Sequence, residues 1–540
     1  MVSILRQPDA VYGATDASDF RWEENLTNDV KYEYVIGESS AKVIVYPSGS
    51  PVKYLKLRFR GNFENVDKVM GDQWERVGLN AYLEFRSIMP CRVLPWFCYL
   101  IEDGKMSCYG VKTGADSFVF FQVDPDGLTV FINLCNTTKG TDLQEPLLAC
   151  ELVERFADKG EDYYKTAQAF ARQMCENPVL PKTPIYGVNN WYWAYGDISH
   201  EIVMEETEQL LELTEGCKNY APYMIIDDGW QWGRDITNER AGVNPGGPWV
   251  GNSRFPSMKN TADEIHKRGV KAGLWFRPLL TQEDVPQDIT LGVDNKGSNI
   301  LDPSHPEVLK RTEELARKFA KEWGFDLIKH DFSTIDTTGI TCLTGEKCDF
   351  ELCVPERKFY DNTKTLATII KNLYKAIQRG AGDAEVIGCN TISHLTAGIH
   401  STYRIGNDTS GRCFEWTRRD GVNSLMRLPL NNAFYYADPD CAPFTNRVKF
   451  EANLDFLELC AITGMTTLAS IKPGLLTKEQ MKKVNAVYRM ADENKGDFGI
   501  AGFDKNSCPE RFVSADGKTE KRYNWNDVYD GSRIALTWFD

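Results

Sequence analysis

From residue 185 to about 470 the chain repeats one unit: a short apolar run of strand type, a polar turn, and a stretch with apolar residues at helical spacing. Strictly alternating strands and helices imply a parallel sheet, because a parallel neighbour is reached only by a crossover long enough to hold a helix. Eight strand-type runs are read, at 185–189, 223–226, 270–276, 326–329, 385–389, 403–405, 433–436 and 462–466. The helix signals between them are explicit. Ser199 caps a stretch carrying Ile202, Val203, Leu210, Leu211 and Leu213, and Ser257 caps another through Ala262 and Ile265 that Gly269 ends. Pro306 opens a third, with Leu309, Thr312, Ala316, Phe319 and Trp323 on one face, and Asp361 a fourth, through Leu366, Ile369, Ile370, Leu373 and Ile377. Eight strands in roughly 290 residues fit a (β/α)8 TIM barrel, typically about 250 residues plus insertions. The alternative is a doubly wound open sheet. No Gly-x-Gly-x-x-Gly turn follows any of the runs, which leaves a dinucleotide site without support.

Before this region, residues 2–148 read as short β runs broken by turns, such as 42–46 before Pro47-Ser48-Gly49 and 118–123 before Asp124-Pro125-Asp126-Gly127. That texture predicts an antiparallel β-sandwich. A helix is expected over Tyr163–Met174, and Pro178, Pro181 and Pro184 then break regular structure and mark a boundary. The expected organisation is a sandwich with a linker helix at 1–176, the barrel at 177–475, and a short C-terminal β-rich domain at 476–540, where 533–539 is one β run.

Charge excludes some partners. With 62 Lys+Arg against 77 Asp+Glu the chain carries a net charge of −15, so neither nucleic acid nor an anionic membrane is expected to bind it. No window approaches the roughly 18 apolar residues of a membrane span, and residues 1–10 carry no basic stretch followed by a long apolar one. Fifteen scattered cysteines read as reduced thiols, and the expected compartment is cytoplasmic. Cys342, Cys348 and Cys353 lack the spacing of a zinc site, and no metal or cofactor is expected. Aromatic residues, at 12%, suit a site that stacks on sugar rings as well as they suit a large core. Self-association into a homo-oligomer is left open.

In such a barrel, side chains at the carboxyl ends of the strands converge on one mouth. Polar residues stand there after five runs: Asp227-Asp228, Lys329-His330-Asp331, Cys389-Asn390, Asn407-Asp408, and Asp438 with Asp440. Cleaving a glycosidic bond with retention needs two such carboxyl groups, a nucleophile and a proton donor. Asp331 is the expected nucleophile, since Lys329 two residues earlier faces the same way and would keep a carboxylate ionised. Asp408 is the expected acid, because its neighbours Asn407 and Thr409 are uncharged and crowding by Asp331 would raise its pKa.

The segments Tyr223-Met224-Ile225-Ile226-Asp227-Asp228-Gly229-Trp230-Gln231, Gly273-Leu274-Trp275-Phe276 and Leu327-Ile328-Lys329-His330-Asp331 resemble the α-galactosidase clan of glycoside hydrolases, closest to family 36. In that family a β-sandwich precedes the barrel, the aspartate of a Lys-x-Asp motif is the nucleophile, and an aspartate four residues after an arginine is the acid/base. Arg404-Ile405-Gly406-Asn407-Asp408 reproduces that second spacing. The resemblance implies a retaining α-glycosidase that removes terminal α-galactosyl units from a small carbohydrate. It also implies that Asp227 and Asp228 hold the 4- and 6-hydroxyls, Lys329 and Arg404 the 2- and 3-hydroxyl side, and Trp275 an apolar wall. Trp191 or Trp193 is expected to line the pocket, both pointing to one face by strand alternation, and Trp74 resembles a segment by which the sandwich reaches over the site. The chain departs from the family pattern in two places: Arg277-Pro278-Leu279 stands for Glu-Pro-Glu, and Cys389-Asn390-Thr391-Ile392-Ser393-His394 for Cys-x-x-Gly-Gly-Gly. The second faces the sugar's 2-position and keeps an α-N-acetylgalactosaminidase as an alternative. A transglycosylase on the same scaffold and a non-catalytic sugar-binding protein are the others.

Overall fold

The structure, a computed structural model, describes residues 2–18, 28–77, 83–84, 93–233, 246–340 and 357–525. Cys342, Cys348, Cys353 and the run 533–539 lie outside the described residues. None of the described helices is long and apolar enough to cross a membrane.

The first part of the chain folds into two antiparallel sheets, of five and seven strands. Strand Val52–Arg60 shows why: Leu55, Leu57 and Phe59 are buried while Lys56 and Arg58 between them are not, the period of two that gives a sheet one apolar face. The strands Phe118–Asp124 and Gly127–Asn133 pair in register around Pro125-Asp126, as the turn signal there predicts. Both sheets feed the same buried cluster.

The second part is a parallel sheet of nine strands in the order Tyr436–Asp438, Thr402–Arg404, Glu385–Gly388, Leu327–His330, Lys271–Phe276, Tyr223–Ile226, Tyr186–Asn189, Thr467–Ile471 and Ala442–Phe444. The two strands at its edges are separated in sequence only by Pro439, Asp440 and Cys441, so one kinked run of chain bridges the sheet's ends. Asp440 sits at the kink with φ +77°. Gly187 in strand Tyr186–Asn189 has φ +143°, and a Cβ there would meet the Tyr223 carbonyl oxygen at 2.1 Å, so glycine is needed for the strands to approach.

Alternation along these strands divides the core in two. Met224, Ile226, Ile328, Val386 and Ala469 pack with the helices. Tyr223, Ile225, Leu327, Ile387 and Leu468 form a second cluster with Ile185, Tyr192, Tyr436 and Cys441 on the other face. Two positions beyond this second set, on the same face, come Asp227, Lys329, Cys389, Asp438 and Ser470. The apolar plug therefore fixes the direction of the polar residues above it.

Some elements differ from the expectations. The run expected at 462–466 is the end of helix Phe450–Ile462 and its turn, and the strand follows at Thr467–Ile471. That helix exposes only a narrow stripe, Glu451 and Asp455 with Leu454 and Glu458 beside them, and buries the polar Asn453 among apolar residues, so its amphipathic pattern is weak. The run at 433–436 is mostly turn, with the strand at Tyr436–Asp438. Helix Leu366–Ala381 starts later than Asp361, because Thr365 caps it while the Asp361 carboxylate accepts the Thr363 N–H at 2.9 Å in a local turn. Helix Lys478–Glu493, just beyond the expected boundary at 475/476, packs against the parallel part of the chain. Its Tyr488 hydroxyl donates to the Gly187 carbonyl at 2.6 Å, and its Asp492 carboxylate accepts the N–H groups of Lys218 and Tyr220 at 2.9 and 2.8 Å. A three-stranded antiparallel sheet, Gly499–Ile500, Arg511–Val513 and Glu520–Arg522, follows it.

The two parts are joined by a buried ion pair. Arg427 donates through Nε to Asp72 at 2.7 Å and through its terminal nitrogens to the carbonyls of Glu75, Arg76 and Ile405, and both charged side chains are at most 2% exposed. This pins the segment after strand Val66–Gly71 against the carboxyl ends of the parallel strands. Arg427→Met, which leaves Asp72 buried without its cation, is expected to cost about 3–5 kcal/mol. Urea denaturation measures it; an unchanged midpoint would show that the pair contributes nothing.

Candidate active site

The polar layer at the carboxyl ends of the strands is a hydrogen-bonded network. Asp227 is held on both oxygens: Oδ2 accepts from Asn189 Nδ2 and from Lys329 Nζ, both at 2.7 Å, and Oδ1 accepts the Asp228 N–H at 2.9 Å. Asp228 in turn accepts from Gln231 Nε2 at 2.6 Å. Burial works most strongly against the Lys329 ammonium, but Asp227, Cys389 and Asp331 together outweigh it and hold the pKa above the ordinary lysine value. The hydrogen bond of Lys329 goes to Asp227, and Lys329 and Asp331 interact through their charges.

Asp331 follows strand Leu327–His330 directly, its N–H bonded to the Phe276 carbonyl at 3.0 Å. Its carboxylate accepts the Phe332 N–H at 2.8 Å and Trp275 Nε1 at 3.4 Å, and it stays half-buried. Phe332 holds φ +60°, an uncommon backbone for a bulky residue, next to the half-buried carboxylate. Arg277 explains one departure from the family pattern. Its guanidinium lies 4.3 Å from the Phe332 ring and forks onto Asp336 at 2.8 and 2.5 Å, supporting the Asp331 turn from beneath.

Asp408 keeps 25% exposure and receives two guanidinium groups on one oxygen, Arg404 Nη2 and Arg76 Nη1, each at 3.0 Å. Burial favours its neutral form, yet Arg76 and Arg404 prevail and hold the carboxyl below the usual aspartate value. This reverses the expected upward shift, because Arg76 arrives from the antiparallel part of the chain. Arg404 also pairs with Asp440, which accepts from the Tyr192 hydroxyl and from the Thr409 N–H at 2.8 Å. Burial raises the Asp440 pKa, and Asp408 adds to this while Arg404 opposes it. Cys389 Sγ lies 3.6 Å from Arg404 Nη1, and burial pushes its thiol up.

The aromatic residues divide. Trp275 is 2% exposed and beside Asp331. Trp191 is half-buried, its ring 5.4 Å from Tyr195. Trp191–Ala194 is a helical turn and not a strand, so Trp191 and Trp193 diverge, and Trp193 donates to Glu206 at 2.7 Å. The expectation for Trp74 is corrected. It is fully buried against Trp96, Phe118 and Phe120, with ring centroids at 5.3, 5.2 and 6.1 Å. The next residues reach the site instead: Glu75 accepts from Asn390 Nδ2, and Arg76 meets Asp408.

Sequence reasoning passed over Arg76, Asn189, Asn190, Tyr192 and Glu206. Asn189 and Asn190 stand after an apolar run like the residues that were chosen, and that signal could have found them. Glu206 gives none. It is buried in helix His200–Leu213, bonded to Trp193 and to Asn190, whose Oδ1 receives the Asp227 N–H at 3.0 Å, and burial raises its pKa to about 8.

No family model matches the chain. A curated relative, alpha-galactosidase Mel36A of Lactobacillus acidophilus, is 30% identical over 217 residues, 37% of this chain and 28% of that protein. The α-galactosidase TtGalA of Thermus thermophilus, solved with p-nitrophenyl α-D-galactopyranoside, aligns over 92% of this chain and 96% of its own with a TM-score of 0.61 and 18% identity. The family 36 α-galactosidase AgaA of Geobacillus stearothermophilus aligns over 90% and 71%, with a TM-score of 0.58 and 16% identity. The chain shares the fold of the family 36 α-galactosidases. An α-galactosidase of Lactobacillus brevis agrees, aligning over 94% of this chain and 79% of its own at a TM-score of 0.60 and 13% identity. The sequence match to the curated relative spans little more than a quarter of that protein's length.

Proposed function

We propose that the chain is a retaining α-galactosidase in which Asp331 is the nucleophile and Asp408 the acid/base. The observation that carries this reading is the pair of carboxylates left partly open within one charged cluster. Asp227, Asp438 and Asp440 are at most 3% exposed and held by hydrogen bonds, whereas Asp331 and Asp408 keep open faces and both lie in the field of Arg76. In the first step a carboxylate oxygen of Asp331 bonds to the anomeric carbon, the bond to the leaving oxygen breaks, and that oxygen takes the Asp408 proton. In the second step Asp408 takes a proton from water, whose oxygen displaces Asp331 and restores the α configuration.

Asp227 and Asp228 offer acceptors for the 4- and 6-hydroxyls, Lys329 and Arg404 face the 2- and 3-hydroxyl side with Cys389 near the 2-position, and Trp275 and Trp191 supply apolar surface. The nine-stranded sheet is read as a (β/α)8 barrel whose seventh strand is broken at Asp440, and the two antiparallel sheets as a sandwich. The divisions proposed are a sandwich with its linker helix to residue 176, a barrel from 177 that includes helix Lys478–Glu493, and a short β-rich end.

The reading is tested with a panel of nitrophenyl α-glycosides. The α-galactoside should be cleaved well ahead of the α-N-acetylgalactosaminide and the α-glucoside. Faster cleavage of the N-acetyl substrate would transfer the assignment to an α-N-acetylgalactosaminidase, and cleavage of none would overturn it. A pH prediction follows from Arg76. A general acid must carry its proton, so kcat/KM falls as pH rises through its pKa in the free enzyme. Because Arg76 lowers that pKa, the alkaline limb should lie on the acid side, and Arg76→Gln should move it to higher pH. Movement of the limb to lower pH, or none, would contradict the role of Asp408.

A further inference from the structure

Beside the charged cluster lies a groove of about 470 Å³, formed by loops that leave the carboxyl ends of four parallel strands. Trp193 and Tyr195 follow Tyr186–Asn189, Arg412 follows Thr402–Arg404, Arg447 follows Ala442–Phe444, and Lys472 follows Thr467–Ile471. Its wall on the catalytic side is Tyr192, whose hydroxyl bonds Asp440 and lies 3.5 Å from Arg404 Nη2. The groove and the proposed catalytic centre therefore share a side chain.

Two features give the groove a definite chemistry. Its aromatic surface is held in place: the Trp193 indole is tied to Glu206 at 2.7 Å, and Arg412 lies over Tyr195 at 5.4 Å from the ring centre. Thr445 donates to the Gly411 carbonyl at 2.5 Å, which locks two of the loops together. Its charge is of one sign. Arg412, Arg447 and Lys472 all line it, and among the described residues no Asp or Glu does. In a chain with a net charge of −15, an anion gains only from cations gathered locally, since the molecule as a whole repels it.

We infer that this groove is an aglycone subsite for a sugar unit that carries negative charge, a uronate carboxylate or a sulfate ester. The inference rests on the proposed α-galactosidase reading for what occupies the neighbouring centre. The half-buried Trp193 and Tyr195 supply aromatic surface to the pyranose, and the exposed guanidinium and ammonium groups meet its charge.

The test uses α-galactosyl disaccharides that differ only in the second sugar: neutral, uronate, or sulfated. The wild type should show kcat/KM about tenfold higher on a charged disaccharide than on the neutral one, two or three partly exposed cations each contributing a few-fold. High salt should reduce the ratio. The variant Arg447→Gln/Lys472→Gln, altered only at exposed positions, should bring it close to one, and Arg447→Gln alone should give an intermediate value. The larger of the uronate and sulfate ratios assigns the anion. A ratio of one in the wild type, or a ratio the double variant leaves unchanged, overturns the subsite. Calorimetric titration with free glucuronate and with a sulfated hexose separates the two proposals. Binding weakened by the double variant, in a protein that cleaves no α-galactoside, keeps the groove and removes the catalytic reading. Cleavage of nitrophenyl α-galactoside without charge preference does the reverse.

Discussion

Asp331→Ala is expected to lower kcat on nitrophenyl α-galactoside by roughly 10⁴-fold or more, the scale on which removing a nucleophile acts in enzymes that form covalent intermediates. Stability should change little, by about 1 kcal/mol, since the side chain gives up one bond to the Phe332 N–H and a long one to Trp275. The vacated space also makes a chemical prediction. Azide entering there attacks the anomeric carbon of an activated α-galactoside from the face Asp331 would have used, so the product should be β-galactosyl azide. A variant that keeps kcat within tenfold of the wild type would remove Asp331 from the mechanism.

Removing Asp408 should act differently on different leaving groups. A nitrophenolate departs without protonation, whereas a sugar alkoxide needs a proton in the transition state. Asp408→Ala should therefore form the glycosyl-enzyme readily from the nitrophenyl substrate but lose about 10²–10⁴-fold on an α-galactosyl disaccharide, the usual range for general acid catalysis. Azide should again restore turnover. Here it displaces Asp331 from the intermediate, so the product should be α-galactosyl azide, opposite to that of the first variant. Equal losses on both substrates, with no azide product, would reduce Asp408 to a partner of Arg76 and Arg404. Asp408→Asn, which keeps the volume between those two guanidiniums, separates a loss of folding from a loss of proton transfer.

The residues that build this site were legible where one local rule governs them. Along each parallel strand the side chains alternate, so a polar residue two positions beyond a buried apolar one stands over the plug; Asp227, Lys329 and Cys389 were legible as polar residues that end or follow apolar runs. The helix starts at Ser199, Ser257 and Pro306 were legible for the same reason, since a cap is a local event. Contacts between distant segments were not. Arg76 meets Asp408 across 332 positions, and Arg427 meets Asp72 across 355, and nothing near either residue signals its partner. That is why the Asp408 pKa was expected in the wrong direction. Trp74 was misplaced by a narrower margin: the segment was right, but its indole turns into the antiparallel core while Arg76, two residues on, turns out of it. Helix Phe450–Ile462 was missed because its exposed stripe is narrow and contains Leu454 while its buried side contains Asn453, which blurs the amphipathic pattern.

The central claim is that this chain cleaves an α-galactoside by double displacement through Asp331. Proton NMR during the first minutes of nitrophenyl α-galactoside hydrolysis, before mutarotation, tests it most directly. The account predicts α-galactose as the first sugar released, giving way slowly to the β anomer as the solution equilibrates. β-Galactose as the first product, or no galactose at all, would contradict it.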